Sequence, residues 1–172
     1  MNTALAECRP RFYFLCLLLG LALPLRAQTG TDPATLRLEG EVTKPLTVGK
    51  NELSKLKRTE QRIREPDGKQ YTYSGYALAD VLQLAGVTLG AQLKGDNLAK
   101  YLLVQAADGY EAVFALPELD PAFTDRVLFL ADQRDGQPLP DSEGPYRIVV
   151  PGEKRHARWV RQVATLKVQF AK

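Results

Sequence analysis

The amino-acid sequence predicts an α+β domain with mixed β-sheets and a few short helices. Short segments in which apolar and polar side chains alternate recur along the chain, as half-buried strands do. Asp-Gly pairs lie between several of these segments, and such pairs are typical of hairpin turns. Segments with apolar residues at helical spacing are short and lie between the strands, and this mixed order indicates an α+β fold.

The first half of the domain begins with residues 36–42, "LRLEGEV", whose alternation predicts a half-buried strand. Residues 44–48 predict a second short extended piece, and residues 49–56 a short helix or helical turn. The runs on either side of Asp67-Gly68 predict a hairpin, because this pair tolerates positive φ.

The second half begins with "YALADVLQLAGV", residues 76–87, which predicts a helix that ends at Gly86. A second hairpin is predicted with its turn at Asp108-Gly109, followed by a short helix and a connection within "LPELDPAFTDR". The remaining predicted strands are residues 127–133, 146–150 and 163–170.

Residues 1–27 are organised like a secretory signal peptide. Arg9 and Arg11 precede an apolar run, and "LRA" ends at Ala27 as a cleavage site does. The apolar run is shorter than the ~20 residues that span a bilayer, so we expect cleavage and no stable membrane insertion afterwards. Residues 28–35 then form a flexible lead-in and residues 36–172 the domain, in a periplasmic or secreted protein. The signal has no adjacent arginine pair of the twin-arginine type.

The residue types of the mature chain exclude several classes of site. Cys8 and Cys16 leave with the signal, so no thiol remains for a disulfide, a nucleophile or a metal ligand. His156 is the single histidine and no G-x-S-x-G motif is present, so we predict no catalytic residue and no metal ligand. Cleavage leaves 20 basic and 19 acidic residues, a balance that does not imply nucleic-acid binding.

A basic segment follows the strand at 146–150. It contains Lys154, Arg155, His156, Arg158 and Arg161, opposed by Glu153 alone. Arginine suits an anion site because its planar fork meets phosphate or carboxylate at two points. The alternative is a solvated turn with Arg147 and Arg161 in surface ion pairs, which contribute little to stability.

The order of four motifs carries a family resemblance. They are "YSGYALADVLQLAGV", "YLLVQAADGYEAVFALPEL", "LADQRDGQPLPDSEGPYRIVVPG" and "ARWVRQVATLKV". Together they resemble the molybdopterin-binding domain of the sulfite oxidase family, which includes the periplasmic methionine-sulfoxide-reductase-type catalytic subunits. The similarity covers residues 36–170 and implies a sulfite-oxidase-like fold.

The resemblance also implies which residues would hold the cofactor. Arg147 matches the family's arginine in the strand before the Pro-Gly turn, and residues 157–161 match the segment after it, with Arg161 standing for a lysine. Asp108 falls near a further loop that contacts the cofactor. The implied cofactor-binding residues are Arg147, Arg158, Trp159, Val160, Arg161 and Asp108.

Two departures from the family bear on function. The molybdenum-ligating cysteine would fall within residues 59–70, which contain none, and a soft thiolate has no equivalent among Arg, Gln and Glu. The family's cofactor-contacting histidine falls near Ser142. We therefore expect no cofactor, although the resemblance makes molybdopterin possible, and a non-catalytic binder of an anionic small molecule or a protein partner. The alternatives are an active molybdopterin-dependent oxidoreductase of the sulfite oxidase type and an accessory protein of a periplasmic redox system.

The roles that the sequence indicates for other side chains near these motifs are less specific. We expect His156 to be exposed and Trp159 to pack against the sheet edge, with a stacking role as the alternative. Tyr71 and Tyr73 share one strand face and could line a pocket. Arg62 and Arg64 lie on one strand face, which we interpret as solvated and tempered by Glu60 and Glu65.

Overall fold

The computed structural model describes residues 35–171. The predicted signal peptide and residues 28–34 of the predicted lead-in lie outside these residues. Within the described part the strands are numbered β1 to β10 along the chain, and they form two sheets.

The first sheet has β10 at its centre. β10 pairs in parallel with β1 and in antiparallel with β5, and β2 and β6 form the two edges. Alternate residues of β5 are buried, as the alternating sequence predicts. The strands of this sheet are β1 (Leu36–Gly40), β2 (Leu46–Val48), β5 (Lys100–Ala106), β6 (Glu111–Ala115) and β10 (Val163–Phe170).

The second sheet is built on the predicted hairpin at Asp67-Gly68. β3 and β4 pair across this turn, where Gly68 has φ +81°. β4 then pairs with β7, and β7 pairs on its other side with β8 and β9. The strands are β3 (Arg58–Arg64), β4 (Gln70–Ala77), β7 (Phe129–Arg134), β8 (Gln137–Pro138) and β9 (Arg147–Val149).

Gly75 sets how closely β4 approaches β7. A Cβ atom at this position would lie 2.0 Å from the Leu130 carbonyl oxygen, so no other residue fits without moving the strand. A bulge between Ser74 and Gly75 accompanies this close approach.

Two α-helices lie within the described residues, α1 (Lys50–Leu53) and α2 (Leu78–Gln83). The predicted helix at 76–87 is present but shorter, because Tyr76 and Ala77 continue β4. The structure also forms 3₁₀ turns at Gly90–Gln92, Gly95–Ala99, Leu116–Glu118 and His156–Arg158. None of the helices between residues 35 and 171 has the length and apolar character needed to cross a membrane.

One core unites both sheets. Buried side chains of the first sheet, such as Phe114 and Leu166, belong to the same cluster as Phe129 and Ile148 of the second sheet and Leu82 of α2. The predicted α+β fold with mixed sheets and a few short helices is therefore confirmed.

Candidate functional site

The basic segment forms a loop between β9 and β10 whose ends are held together. The Ile148 N–H donates to the Val160 carbonyl oxygen at 2.8 Å, and the Val163 N–H donates to the Tyr146 carbonyl oxygen at 2.9 Å. Gly152, with φ +79°, turns the chain after Pro151. The loop therefore returns to the strand that carries Arg147.

Arg147 lies inside the protein, and its side chain is 3% exposed. Its Nη1 donates to Glu143 Oε2 at 2.6 Å, to the Tyr73 hydroxyl at 2.8 Å and to Glu65 Oε1 at 3.4 Å. Arg134 Nη1 lies 3.2 Å from the Glu143 carboxylate. These five residues form the Arg147 cluster, in which two cations meet two carboxylates. A buried charge requires such partners, because an unpaired one is costly.

The Tyr73 hydroxyl connects Glu65 and Arg147 by hydrogen bonds within the Arg147 cluster. Burial, and then the hydrogen bond to Glu65, raise the pKa of Tyr73 to about 12. The hydroxyl therefore stays protonated near neutral pH, donates to Glu65 and accepts from Arg147. The expectation of a surface ion pair is wrong for Arg147, because all three residues of β9 are buried and the guanidinium lies in the interior.

Trp159 packs against the Arg147 cluster and stacks with His156. The imidazole stacks on the indole with ring centroids 3.6 Å apart and an interplanar angle of 6°. The Arg147 guanidinium carbon lies 5.2 Å from the indole centroid, and the Tyr73 ring meets Trp159 edge-on at 6.0 Å. Trp159 is 3% exposed, so it is a packing residue as well as a stacking partner.

The expectation of an exposed His156 is wrong, because stacking on Trp159 leaves the ring partly buried. Burial is the main cause that lowers the pKa of His156, and the charge of Arg147 adds to it. Glu65 and Glu153 act in the opposite direction. The imidazole is consequently neutral at pH 7.

Arg158 is held by carboxylates on two sides. Its Nε donates to Glu153 Oε1 at 2.7 Å, and Nη2 forms a second bond to the same oxygen. Nη1 and Nη2 both lie 3.2 Å from Glu118 Oε2, and Nη1 reaches the Val113 carbonyl oxygen at 3.3 Å. Arg158 therefore fixes the loop to the edge of the first sheet.

A cavity of about 260 Å³ lies beside Trp159, and we call it the Trp159 cavity. It brings together four of the six residues implied as cofactor-binding, and Arg147 and Arg158 are not among its lining residues. The cavity is lined by Ala106, Asp108, Tyr110, His156, Ala157, Trp159, Val160 and Arg161.

The Trp159 cavity has one charge of each sign at its wall. Arg161 is exposed and forms no ion pair with any residue from 35 to 171. Asp108 accepts the Tyr110 N–H at 2.9 Å and likewise has no basic partner in that range. The Tyr110 hydroxyl donates to the Ala157 carbonyl oxygen at 2.7 Å, which joins the β5–β6 hairpin to the loop.

The sequence reading missed the partners of Arg147. On sequence alone, Glu65 belongs to a solvated strand face, and Glu143 has no feature beyond adjoining Ser142, the position that matches the family's histidine. Tyr73 was named only as a possible pocket residue. Strand alternation could have separated Glu65 from the exposed Glu60, Arg62 and Arg64, since odd-numbered residues of this hairpin face inward.

A family comparison matches residues 23–171 to the oxidoreductase molybdopterin binding domain. The chain belongs to this family. Among solved structures, the sulfane dehydrogenase SoxCD from Paracoccus pantotrophus is similar to it with a TM-score of 0.62 and 22% identity. The match covers 80% of this chain but 39% of the dehydrogenase chain, so the likeness is one of fold. No curated protein matches the sequence.

Membership of the family confirms the sulfite-oxidase-like fold inferred from the four motifs. No group of three or more His, Cys, Asp or Glu side chains that could hold a metal ion occurs in the part of the chain from 35 to 171.

Proposed function

We propose that this chain is a non-catalytic member of the family that binds a small anionic ligand in the Trp159 cavity. We further propose that it is exported to the periplasm or secreted, as its N-terminal sequence predicts. The observation that carries the non-catalytic assignment is the ion pairing of Arg147, whose guanidinium pairs inside the protein with the carboxylates of Glu143 and Glu65.

The residues present do not fit molybdopterin. The position that would grip an anionic group of the cofactor already holds a carboxylate, with Glu143 Oε2 at 2.6 Å from Arg147. An incoming phosphate would have to displace Glu143 and leave its charge poorly solvated, which costs several kcal/mol. The cavity of about 260 Å³ is also smaller than the ~300–1,000 Å³ usual for such ligands.

The metal would also lack its ligand. The two cysteines of the sequence are at positions 8 and 16, far upstream of residues 59–70 where the family's ligand would fall. The alternative of an active molybdopterin-dependent oxidoreductase therefore needs both an unusual metal ligand and a rearranged Arg147 cluster. Neither requirement has support in the residues described.

Arg161 is the group in the Trp159 cavity that suits an anion. Its guanidinium is free of carboxylates within residues 35–171 and can meet a carboxylate, sulfate or phosphate at two points. Trp159 and His156, whose rings stack on each other, line the same cavity. Asp108 on the same wall favours a ligand that carries a hydrogen-bond donor next to its anionic group.

The first test is elemental and pterin analysis of the protein purified from its native compartment. We expect neither molybdenum by mass spectrometry nor pterin absorption in the near ultraviolet and visible. Stoichiometric molybdenum would overturn the non-catalytic assignment.

The second test uses Trp159, the single tryptophan of the chain, as a reporter. Sulfate, phosphate and small carboxylates are titrated into the mature protein while indole fluorescence is recorded. We expect saturable binding that Arg161→Gln removes. Arg155→Gln is the matched control, because Arg155 is exposed and lies outside the cavity; equal loss in both variants would refute a site at Arg161.

A further inference from the structure

β3 presents a free edge of the second sheet, and the hydrogen bonds show which residues form it. The Glu65 N–H donates to the Lys69 carbonyl oxygen at 2.9 Å, so odd-numbered residues bond across the hairpin. Thr72, opposite Arg62, turns its N–H and carbonyl groups the other way, to Asp135. Along one strand of an antiparallel pair, the N–H and carbonyl groups of successive residues point alternately toward the partner strand and away from it. The outward main-chain groups of β3 therefore belong to Arg58, Glu60, Arg62 and Arg64.

No strand covers this edge within residues 35–171, where β3 pairs with β4 alone. The side chains of the same four residues are exposed, while those between them are half-buried. The free main-chain groups and the exposed side chains thus lie along one accessible border.

This border is basic, because the Glu65 carboxylate points into the protein and does not offset the positive charge of the exposed side chains. Glu65 faces inward and bonds Tyr73 and Arg147, and Arg58 is neutralised by Asp132 at 2.7 Å. Glu60 accepts the Ser74 hydroxyl at 3.1 Å and remains as the carboxylate of the strand. On β3 and the segments that flank it, the exposed cations that form no ion pair with any residue from 35 to 171 are Lys55, Lys57, Arg62, Arg64 and Lys69.

We propose that the β3 edge binds an extended acidic segment of a partner protein as an added strand. Main-chain hydrogen bonds to residues 60, 62 and 64 would supply affinity, and acidic side chains at alternate positions would face Arg62 and Arg64. Charged residues on an edge strand also prevent pairing with a like edge. The cations of β3 therefore repel a second copy of this strand and favour an acidic one.

This surface is separate from the ligand site proposed above. None of the outward residues of β3 lines the Trp159 cavity, and Arg161 lies in the loop before β10. Loss of anion binding at Arg161 would leave the β3 proposal intact, and the reverse is also true.

The test measures binding of a labelled peptide, Glu-Thr-Glu-Val-Glu-Thr-Glu with blocked ends, to the mature protein by fluorescence anisotropy. We expect saturable binding that weakens with salt. The double variant Arg62→Glu/Arg64→Glu should bind the peptide at least about tenfold more weakly. The control Lys154→Glu/Arg155→Glu changes the net charge equally. Its affinity should change less than about twofold, because these exposed residues lie outside β3.

Two further readouts separate strand addition from charge attraction. A peptide N-methylated at its four Glu residues keeps its charge but should lose binding, because the residues opposite Arg62 and Arg64 must supply the N–H groups of the added strand. Its remaining free edge could pair only with Thr and Val, not Glu, opposite these arginines. Amide hydrogen exchange should slow at residues 60, 62 and 64 when the unmodified peptide binds, since no strand within residues 35–171 pairs with these N–H groups beforehand. Equal binding of the N-methylated peptide, no binding of either peptide, or self-association of the protein through β3 would overturn the proposal.

Discussion

Glu143 and Arg147, which are four positions apart in the chain, form an ion pair with Oε2 2.6 Å from Nη1. Both side chains are largely shielded from water. The two positions surround the Gly144-Pro145 step, so the contact depends on a turn and not on a helix. Glu65, which directly follows β3, approaches the same nitrogen at 3.4 Å. The arginine that the family resemblance implies as cofactor-binding is thus paired with carboxylates of this chain.

Breaking the Arg147 cluster should destabilise the protein strongly. Arg147→Met leaves Glu65 and Glu143 without their shared cation, and we expect a loss of about 3 kcal/mol in the free energy of unfolding. Adding Glu65→Met should recover part of that loss, because Glu65 has no other ion pair within residues 35–171, whereas Glu143 keeps Arg134 at 3.2 Å. Urea unfolding of the single and double variants measures both effects.

Arg126→Met serves as the control for this experiment. Arg126 pairs with Glu118, and both side chains are about one-third exposed, so the loss should stay below about 1 kcal/mol. A loss at Arg147 no larger than at Arg126 would show that the buried cluster contributes little.

The Tyr73 hydroxyl should contribute to the same cluster in a separable way. Tyr73→Phe removes the donor to Glu65 and the acceptor for Arg147, and we expect a loss of about 2 kcal/mol. Ultraviolet titration should show one phenol ionising at about pH 12 in the wild type that is missing in the variant. Tyr101→Phe, which loses one bond to Gln169, is the comparison.

Stability should fall in mildly acidic solution because of His156. Its pKa is lower in the folded state than the ordinary value of 6.5, so the unfolded chain binds more protons in this range. Stability therefore rises with pH and is lost as pH falls through 6.5. Tm measured from pH 5 to pH 8 should show this slope, and His156→Gln should flatten it. An unchanged slope in the variant would assign the effect to carboxylates.

Close packing of β4 on β7 should make Gly75 intolerant of any side chain. Gly75→Ala places a methyl group 2.0 Å from the Leu130 carbonyl oxygen, so we expect a loss of about 3 kcal/mol or failure to fold. Gly68→Ala meets open space and strains only a positive φ, so about 1 kcal/mol is expected. Thermal unfolding of the two variants tests the difference, and similar values would argue against a steric role for Gly75.

Local patterns were enough to predict most of the fold. Alternation of apolar and polar residues located β3, β5 and β6, and Asp67-Gly68 and Asp108-Gly109 marked their turns. These features depend on neighbours along the chain, which a sequence displays directly. The helix at 76–87 was predicted too long, because the pairing of Tyr76 and Ala77 with β3 and β7 overrode their helical spacing.

The chemistry of the site was less accessible to sequence reasoning. The family resemblance implies Asp108 and residues 159–161 as cofactor-binding from two separate motifs, and these residues line one cavity. Glu65, the partner of Arg147 that follows β3, is 82 positions away in the chain. Such contacts arise only when the two ends of the second sheet meet, and no local pattern records them.

The Arg147 cluster also bears on when the domain can fold. In a protein whose buried arginine waits for a cofactor anion, folding and loading are coupled, because an unpaired interior cation penalises the empty state. Here Glu65 and Glu143 travel within the same polypeptide as Arg147. Under the proposed function, the core therefore closes without a loading step, because its buried arginine already has carboxylate partners in the same chain.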